Sequence, residues 1–363
     1  MPACRTPSLD IIMTTKTDPS NKVQQAVSWP RSCVLRSQRL FHQSLTNHGL
    51  PYLRRQKPDF WTDRQPTKIF EDPQHPGLGI RLFKPEGGTD EPPPPNGWPI
   101  IFMIHGGGWT IGNAEMDDEQ AHILSTKYGF CVMGLEYGLA PGRPFPGPIH
   151  DLAGLIECVI GDTKLVSELN LDTSKVSLVG FSCGGSLALS LAQLPALQKH
   201  IHAIVAFYPL VDFVGLFRED RPVRKTPWGK TDPLPSVLPM YTWSYVPVGQ
   251  DLEDPLLSPW YAAREDIPQP LFMITADDCL REEGCMFARK AAGLDLNANP
   301  HEVSTESWEA ESVRYEFVPG MPHCFIHFWE EIKGSDEWEK RRLDTNQRIW
   351  SDVAAWLKAK LGV

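Results

Sequence analysis

The chain has 363 residues, with 35 Lys and Arg against 45 Asp and Glu, for a formal net charge of −10. With 41% apolar and 22% charged residues, the composition excludes a wholly disordered chain. The acidic balance argues against a nucleic-acid partner, which needs a Lys/Arg surface, and disfavours an anionic membrane. No apolar run approaches the roughly 18–20 residues that span a bilayer. Ile11-Ile12-Met13 is too short for the apolar core of a signal peptide. The eight cysteines are scattered, with no C-x-x-C pair. That pattern reads as reduced thiols and a cytoplasmic location. The length suits one large α/β unit and leaves room for a homodimer.

In chain order, residues 1–30 are polar and aperiodic and are expected to be loose. Over residues 33–53, Val34, Leu35, Leu40, Phe41 and Leu45 recur at helical spacing, predicting one or two short helices outside the main fold. Residues 79–85 read as a strand. Residues 85–99 form a proline-rich connector. A regular alternation then begins. Strands are predicted at 100–104, 130–137, 175–181, 202–208, 271–275 and 313–318. Helices are predicted at 116–128, 149–169, 184–194 and 280–294. A long terminal helix carries Ile349, Val353, Leu357 and Leu361 on one face. Such alternation predicts an α/β fold, with a mainly parallel sheet covered by helices on both faces. Residues 211–266, rich in Pro and Trp, break the rhythm. The expected organisation is an N-terminus with cap helices over 1–65, then a catalytic domain over 66–363 with a cap insertion at 211–266.

The chemistry concentrates in Gly180-Phe181-Ser182-Cys183-Gly184, a G-x-S-x-G element between an apolar strand and a small-residue helix. That is the setting of a nucleophile elbow, where a sharp turn exposes the serine and glycine must flank it. The helix N-terminus directs positive charge at the same point. His105-Gly106-Gly107-Gly108-Trp109 follows another strand, and its glycines let backbone N–H groups turn toward an oxyanion. A Walker-type phosphate loop is excluded, because G-K-[ST] is missing. A serine nucleophile needs a base and a carboxylate. In chain order these are supplied by Asp277 or Asp278 and by His323, each in a loop after a predicted strand. Asp278 is preferred and Asp277 is the competitor. His327 is read as structural.

Together HGGGW, GFSCGG, EYGLAPGRPFP, ADDCLREEG and GMPHCF resemble the hormone-sensitive-lipase-like family of α/β-hydrolases, from about Arg81 to the C-terminus. The resemblance implies an α/β-hydrolase fold with a mostly helical cap and serine carboxylesterase, lipase or deacetylase activity. It implies Ser182 as nucleophile, His323 as base and Asp278 as its partner. Asp278 matches the family's D-x-L-x-x-E pattern, running to Glu283. The implied oxyanion donors are the N–H groups of Gly107, Gly108 and Cys183. Three positions depart from the family: Phe181 stands for its usual Asp, Cys183 for Ala, and Gly142 for Glu.

Each proposed triad residue is followed by cysteine (Cys183, Cys279, Cys324), read first as small residues in tight slots and second as redox-sensitive thiols. No H-E-x-x-H and no G-x-G-x-x-G after a strand is present, so neither a metal nor a dinucleotide cofactor is expected. Trp109, Trp228 and Trp243 are candidates to line an apolar pocket. The expected substrate is a small-molecule apolar ester, such as an acylated terpenoid, sterol or polyketide. The alternatives are acyl transfer, lactonisation or cyclisation by the same triad, or a non-catalytic binding protein on the same fold.

Overall fold

The computed structural model describes residues 22–46, 64–85, 94–217, 224–225, 232–327 and 335–363. Helix α1 (Trp29–Ser44) precedes the strand pair β1 (Lys68–Glu71) and β2 (Gly79–Phe83). Then come β3 (Trp98–Ile104), α2 (Asp118–Thr126), β4 (Cys131–Leu135), α3 (Gly147–Gly161), α4 (Thr163–Leu169), β5 (Leu171–Phe181), α5 (Cys183–Leu191) and β6 (Ile201–Phe207). Helix α6 (Leu234–Tyr245), β7 (Leu271–Thr275), α7 (Arg281–Ala292), β8 (Trp308–Ala310), β9 (Val313–Phe317) and α8 (Asp336–Leu361) complete the elements used below.

The strands form one sheet in the order β1-β2-β4-β3-β5-β6-β7-β9-β8. From β4 to β9 all neighbours are parallel. Antiparallel pairs occur only at the margins: β1 with β2, β2 with β4, and β8 with β9. Strand β3 shows why the interior strands read as unbroken apolar runs, for all seven of its residues are buried. Successive side chains leave opposite faces of the pleat. Ile100, Phe102 and Ile104 join one core, with residues of α3, α5 and α7. Ile101 and Met103 join the other, with residues of α2 and α8. The expected face of α8 is present: Ile349, Val353, Leu357 and Leu361 are all buried.

Several boundaries differ from expectation. Residues 22–28 are not loose, because Val23 bridges to Asp251 and Gln24 N–H donates to Gln250 O at 2.9 Å. The partner segment lies more than 200 residues away, so local pattern carries no sign of it. The predicted helix over 149–169 is two helices. Asp162 leaves helical geometry, and its Oδ1 accepts the N–H groups of Lys164 and Leu165, both at 3.0 Å. An Asp that satisfies two free donors starts a new helix rather than continuing the old one. Strands β1 and β8 lie outside the expected elements, because both are short edge strands without apolar alternation. Strand β5 begins at Leu171, four residues early, because Leu171 pairs with Trp98 of β3. Within 211–266 lie α6 and short 3-10 turns at Gly215–Phe217, Pro259–Tyr261 and Arg264–Asp266, and α1 packs against α6. The looseness expected of 1–21, the helical pattern of 47–53, residues 86–93 of the connector and Trp228 lie outside the described residues. Among the described residues, no helix is long and apolar enough to cross a membrane.

Candidate active site

The chain leaves β3 to form β4 on one side and returns to form β5 on the other. This reversal opens a crevice at the carboxyl ends of β3 and β5. Ile104 pairs with Gly180, so the HGGG loop and the G-x-S-x-G turn emerge side by side. Ser182 has φ +53° and ψ −121°, a strained conformation for a non-glycine residue. A Cβ at Gly180 would overlap Gly184 O, and one at Gly184 would overlap Ile104 O. The turn is therefore sterically closed to any other residue at those two positions. Ser182 N–H is held by Phe207 O at 2.8 Å.

Asp278, three residues past β7, and His323, six residues past β9, meet Ser182 in this crevice. His323 Nε2 lies 2.8 Å from Ser182 Oγ, and His323 Nδ1 lies 2.7 Å from Asp278 Oδ2. Asp278 is 1% exposed, and its Oδ1 also accepts Leu280 N–H at 2.8 Å. Asp277 faces elsewhere: its Oδ1 takes Arg281 Nη1 at 3.0 Å and Arg224 Nη1 at 3.4 Å. Burial pushes the His323 pKa down, but the adjacent Cys324 sulfur and the Asp278 carboxylate outweigh it and hold it well above the ordinary imidazole value. The linked groups can move the Ser182 proton onto the neutral His323 imidazole, and Asp278 stabilises the imidazolium that forms.

Gly107 and Gly108 have φ of +115° and +57°. A Cβ on Gly107 would overlap Ile111 O, and one on Gly108 would overlap the Tyr241 ring of α6. Cys183 opens α5, where an N–H group has no intrahelical acceptor. Its buried Sγ accepts Trp109 N–H at 3.2 Å and lies 3.6 Å from Tyr137 Oη, which donates to His105 O at 3.0 Å. Burial raises this thiol to about 11, so it stays protonated near neutrality and serves as a strut between the two loops. Cys279 is buried, and Cys324 is exposed with φ +62°.

Phe181 fills the space behind the elbow. Its ring packs on Phe207 at 5.0 Å and edge-on to His327 at 4.5 Å. His327 Nε2 also lies 2.8 Å from Asp117 Oδ1, a buried contact between the loop after His323 and the turn before α2. Several neighbours lie outside the motifs. The Tyr208 ring lies 4.8 Å from that of His323. Buried Asp232 accepts the N–H groups of Cys279 at 3.2 Å and Leu234 at 2.9 Å, joining the start of α6 to the acid loop. Asp232-Pro233 ahead of an apolar run is a helix-start signal that could have marked it. Glu283 holds Val211 N–H at 3.0 Å, fastening the start of the 211–266 stretch. Trp109 stacks on Tyr245 at 4.5 Å and lies 5.3 Å from Phe213.

A protein family described as alpha/beta hydrolase fold matches residues 101–327. An esterase of Gibberella moniliformis is 29% identical over 229 residues, which are 61% of this chain and 68% of that protein. An arylesterase of Saccharolobus solfataricus is 27% identical over 212 residues, 58% of this chain and 65% of that one. The matched region thus spans about two thirds of the length of these relatives. Among solved structures, vibralactone cyclase is similar with a TM-score of 0.63 at 21% identity, covering 94% of this chain and 97% of that one, a likeness of fold. With its sheet, its paired glycine loops and these relatives, the chain belongs to the hormone-sensitive-lipase-like family of α/β-hydrolases and is a carboxylesterase-type enzyme.

Proposed function

We propose that this enzyme hydrolyses an apolar carboxylic ester through an acyl-enzyme, with Ser182, His323 and Asp278 as its catalytic triad. Ser182 Oγ attacks the ester carbonyl while His323 Nε2 takes its proton. Asp278 orients the imidazole and stabilises its charged form. The N–H groups of Gly107, Gly108 and Cys183 receive the oxyanion, each contributing about 3 kcal/mol to the transition state. His323 then protonates the leaving alcohol, and water attacks the acyl-enzyme by the same route. The hydrogen-bond chain Asp278–His323–Ser182 at the crevice is the observation that carries this conclusion.

The described parts of residues 211–266, with α1, act as the cap. The buried aromatic cluster of Trp109, Phe213 and Tyr245 behind the glycine loop, with the Tyr241 ring against Gly108, makes the surroundings of the crevice apolar and supports an apolar substrate, of the class of acylated terpenoids, sterols or polyketides. The Tyr241 ring lies directly against Gly108, and a ring in that place leaves less room for a long acyl chain beside the glycine loop. Among p-nitrophenyl acetate, butyrate, octanoate and palmitate, the short esters are therefore expected to turn over fastest, with Ser182→Ala as the blank. Palmitate turnover equal to butyrate would contradict that restriction. No turnover of any ester by the folded enzyme would contradict hydrolysis as its activity.

The base must be neutral to accept a proton. Because the His323 pKa is raised, kcat/KM is expected to increase with pH through an apparent pKa above the ordinary 6.5. A pH series on p-nitrophenyl butyrate measures it, and an acid limb centred at or below that value would exclude His323 in this environment as the titrating base.

A further inference from the structure

We propose that Asp72, His75 and Cys158 form a binding site for a divalent transition-metal ion of the zinc type. The three residues come from separate places. Asp72 follows edge strand β1, His75 sits in the turn to β2, and Cys158 lies in the last turns of α3. Their donor atoms converge: His75 Nδ1 is 2.7 Å from Asp72 Oδ2, Cys158 Sγ is 3.4 Å from the same oxygen, and Sγ to Nδ1 is 3.9 Å. Zinc bonds of ~2.0–2.3 Å at tetrahedral angles place donor atoms roughly 3.3–3.7 Å apart. The observed triangle reaches that shape with side-chain shifts of ~0.6 Å or less.

The chemistry of the cluster suits a cation. Asp72 Oδ2 gathers hydrogens from the His75 ring, the Cys158 thiol and the Gln74 N–H, at 3.0 Å for the last. A divalent ion takes the place of the first two. The imidazole moves its proton to Nε2, the thiol releases its proton to solvent, and the carboxylate and thiolate balance the ion's charge. The Asp72 carboxyl is already held below its ordinary range, chiefly by the His75 hydrogen bond. Burial and the neighbouring Asp72 push the Cys158 thiol up, so that proton is present before binding and must leave. Room for the imidazole exists because α3 carries glycine beneath it: a Cβ at Gly154 would overlap His75 Nε2. The side chains of His75 and Asp72 are 24% and 18% exposed, which gives the ion an entry path and a fourth, water ligand. Bound there, it staples the β1–β2 edge to α3, several strands from Ser182 in the sheet order.

The test is zinc calorimetry and cobalt absorption spectroscopy on chelator-treated full chain. Wild type is expected to bind one equivalent, to show a thiolate-to-cobalt charge-transfer band, and to release about one proton near pH 7. Zinc should also raise its thermal midpoint. His75→Gln and Cys158→Ser should each weaken binding about tenfold or more; Cys158→Ser should lose the charge-transfer band, and zinc should no longer raise the midpoint of either variant. No saturable binding by wild type would overturn the site. So would affinity unchanged in both variants, which marks an adventitious ion only. Should Cys158→Ser not fold, His75→Gln alone decides between these outcomes. The readouts do not involve ester turnover, so the site stands or falls separately from the triad.

Discussion

Ser182→Ala is expected to lower kcat by about 10⁶-fold while leaving the fold intact. Asp278→Asn should lower it by about 10⁴-fold, because the amide favours the wrong imidazole tautomer and no longer stabilises the imidazolium. Asp277→Asn should stay within about tenfold of wild type, since Asp277 contacts Arg281 and Arg224 rather than His323. The three variants assayed on p-nitrophenyl butyrate, with thermal melts to confirm folding, form one experiment. Comparable losses in Asp277→Asn and Asp278→Asn would assign the acid role to the loop and not to one carboxylate. An active Ser182→Ala would remove the acyl-enzyme route.

Gly107→Ala should lower kcat by about 10²–10³-fold or more with little change in KM. Two physical effects coincide there. The backbone has φ +115°, which a side chain strains, and the added Cβ would overlap Ile111 O. The loop must move, and the N–H groups of Gly107 and Gly108 move with it. Losing one oxyanion donor alone accounts for a factor of that size. Gly161→Ala is the matched control, because a Cβ there meets nothing within 4 Å. It should be as active as wild type. A Gly107→Ala enzyme with unchanged kcat would show that this loop does not bind the developing negative charge.

Much of the site was legible because its signals are local and steric. Gly180 and Gly184 are required by contacts within five residues of one another and by the neighbouring strand. Apolar runs such as 100–104 and 271–275 are strands because burial on both faces demands them. Less legible were features set by partners distant in sequence. Strands β1 and β8 exist through edge pairing with β2 and β9, and their own side chains show no apolar alternation. The split of 149–169 turned on one Asp finding two backbone donors.

Sequence alone determined the alternating strand and helix order, the positions of the elbow and the glycine loop, and the candidate acid and base loops after β7 and β9. Those follow from side-chain period, glycine sterics and chain order, all written within short windows. Only the tertiary structure sets Asp277 and Asp278 apart, because adjacent residues leave the loop in different directions. Arg224 and Arg281 hold one, and His323 meets the other. It also brought Asp232 against Cys279, Tyr241 onto Gly108 and Cys158 beside His75. Each of those contacts joins residues from different elements, and only the packed sheet and its helices bring them within bonding distance.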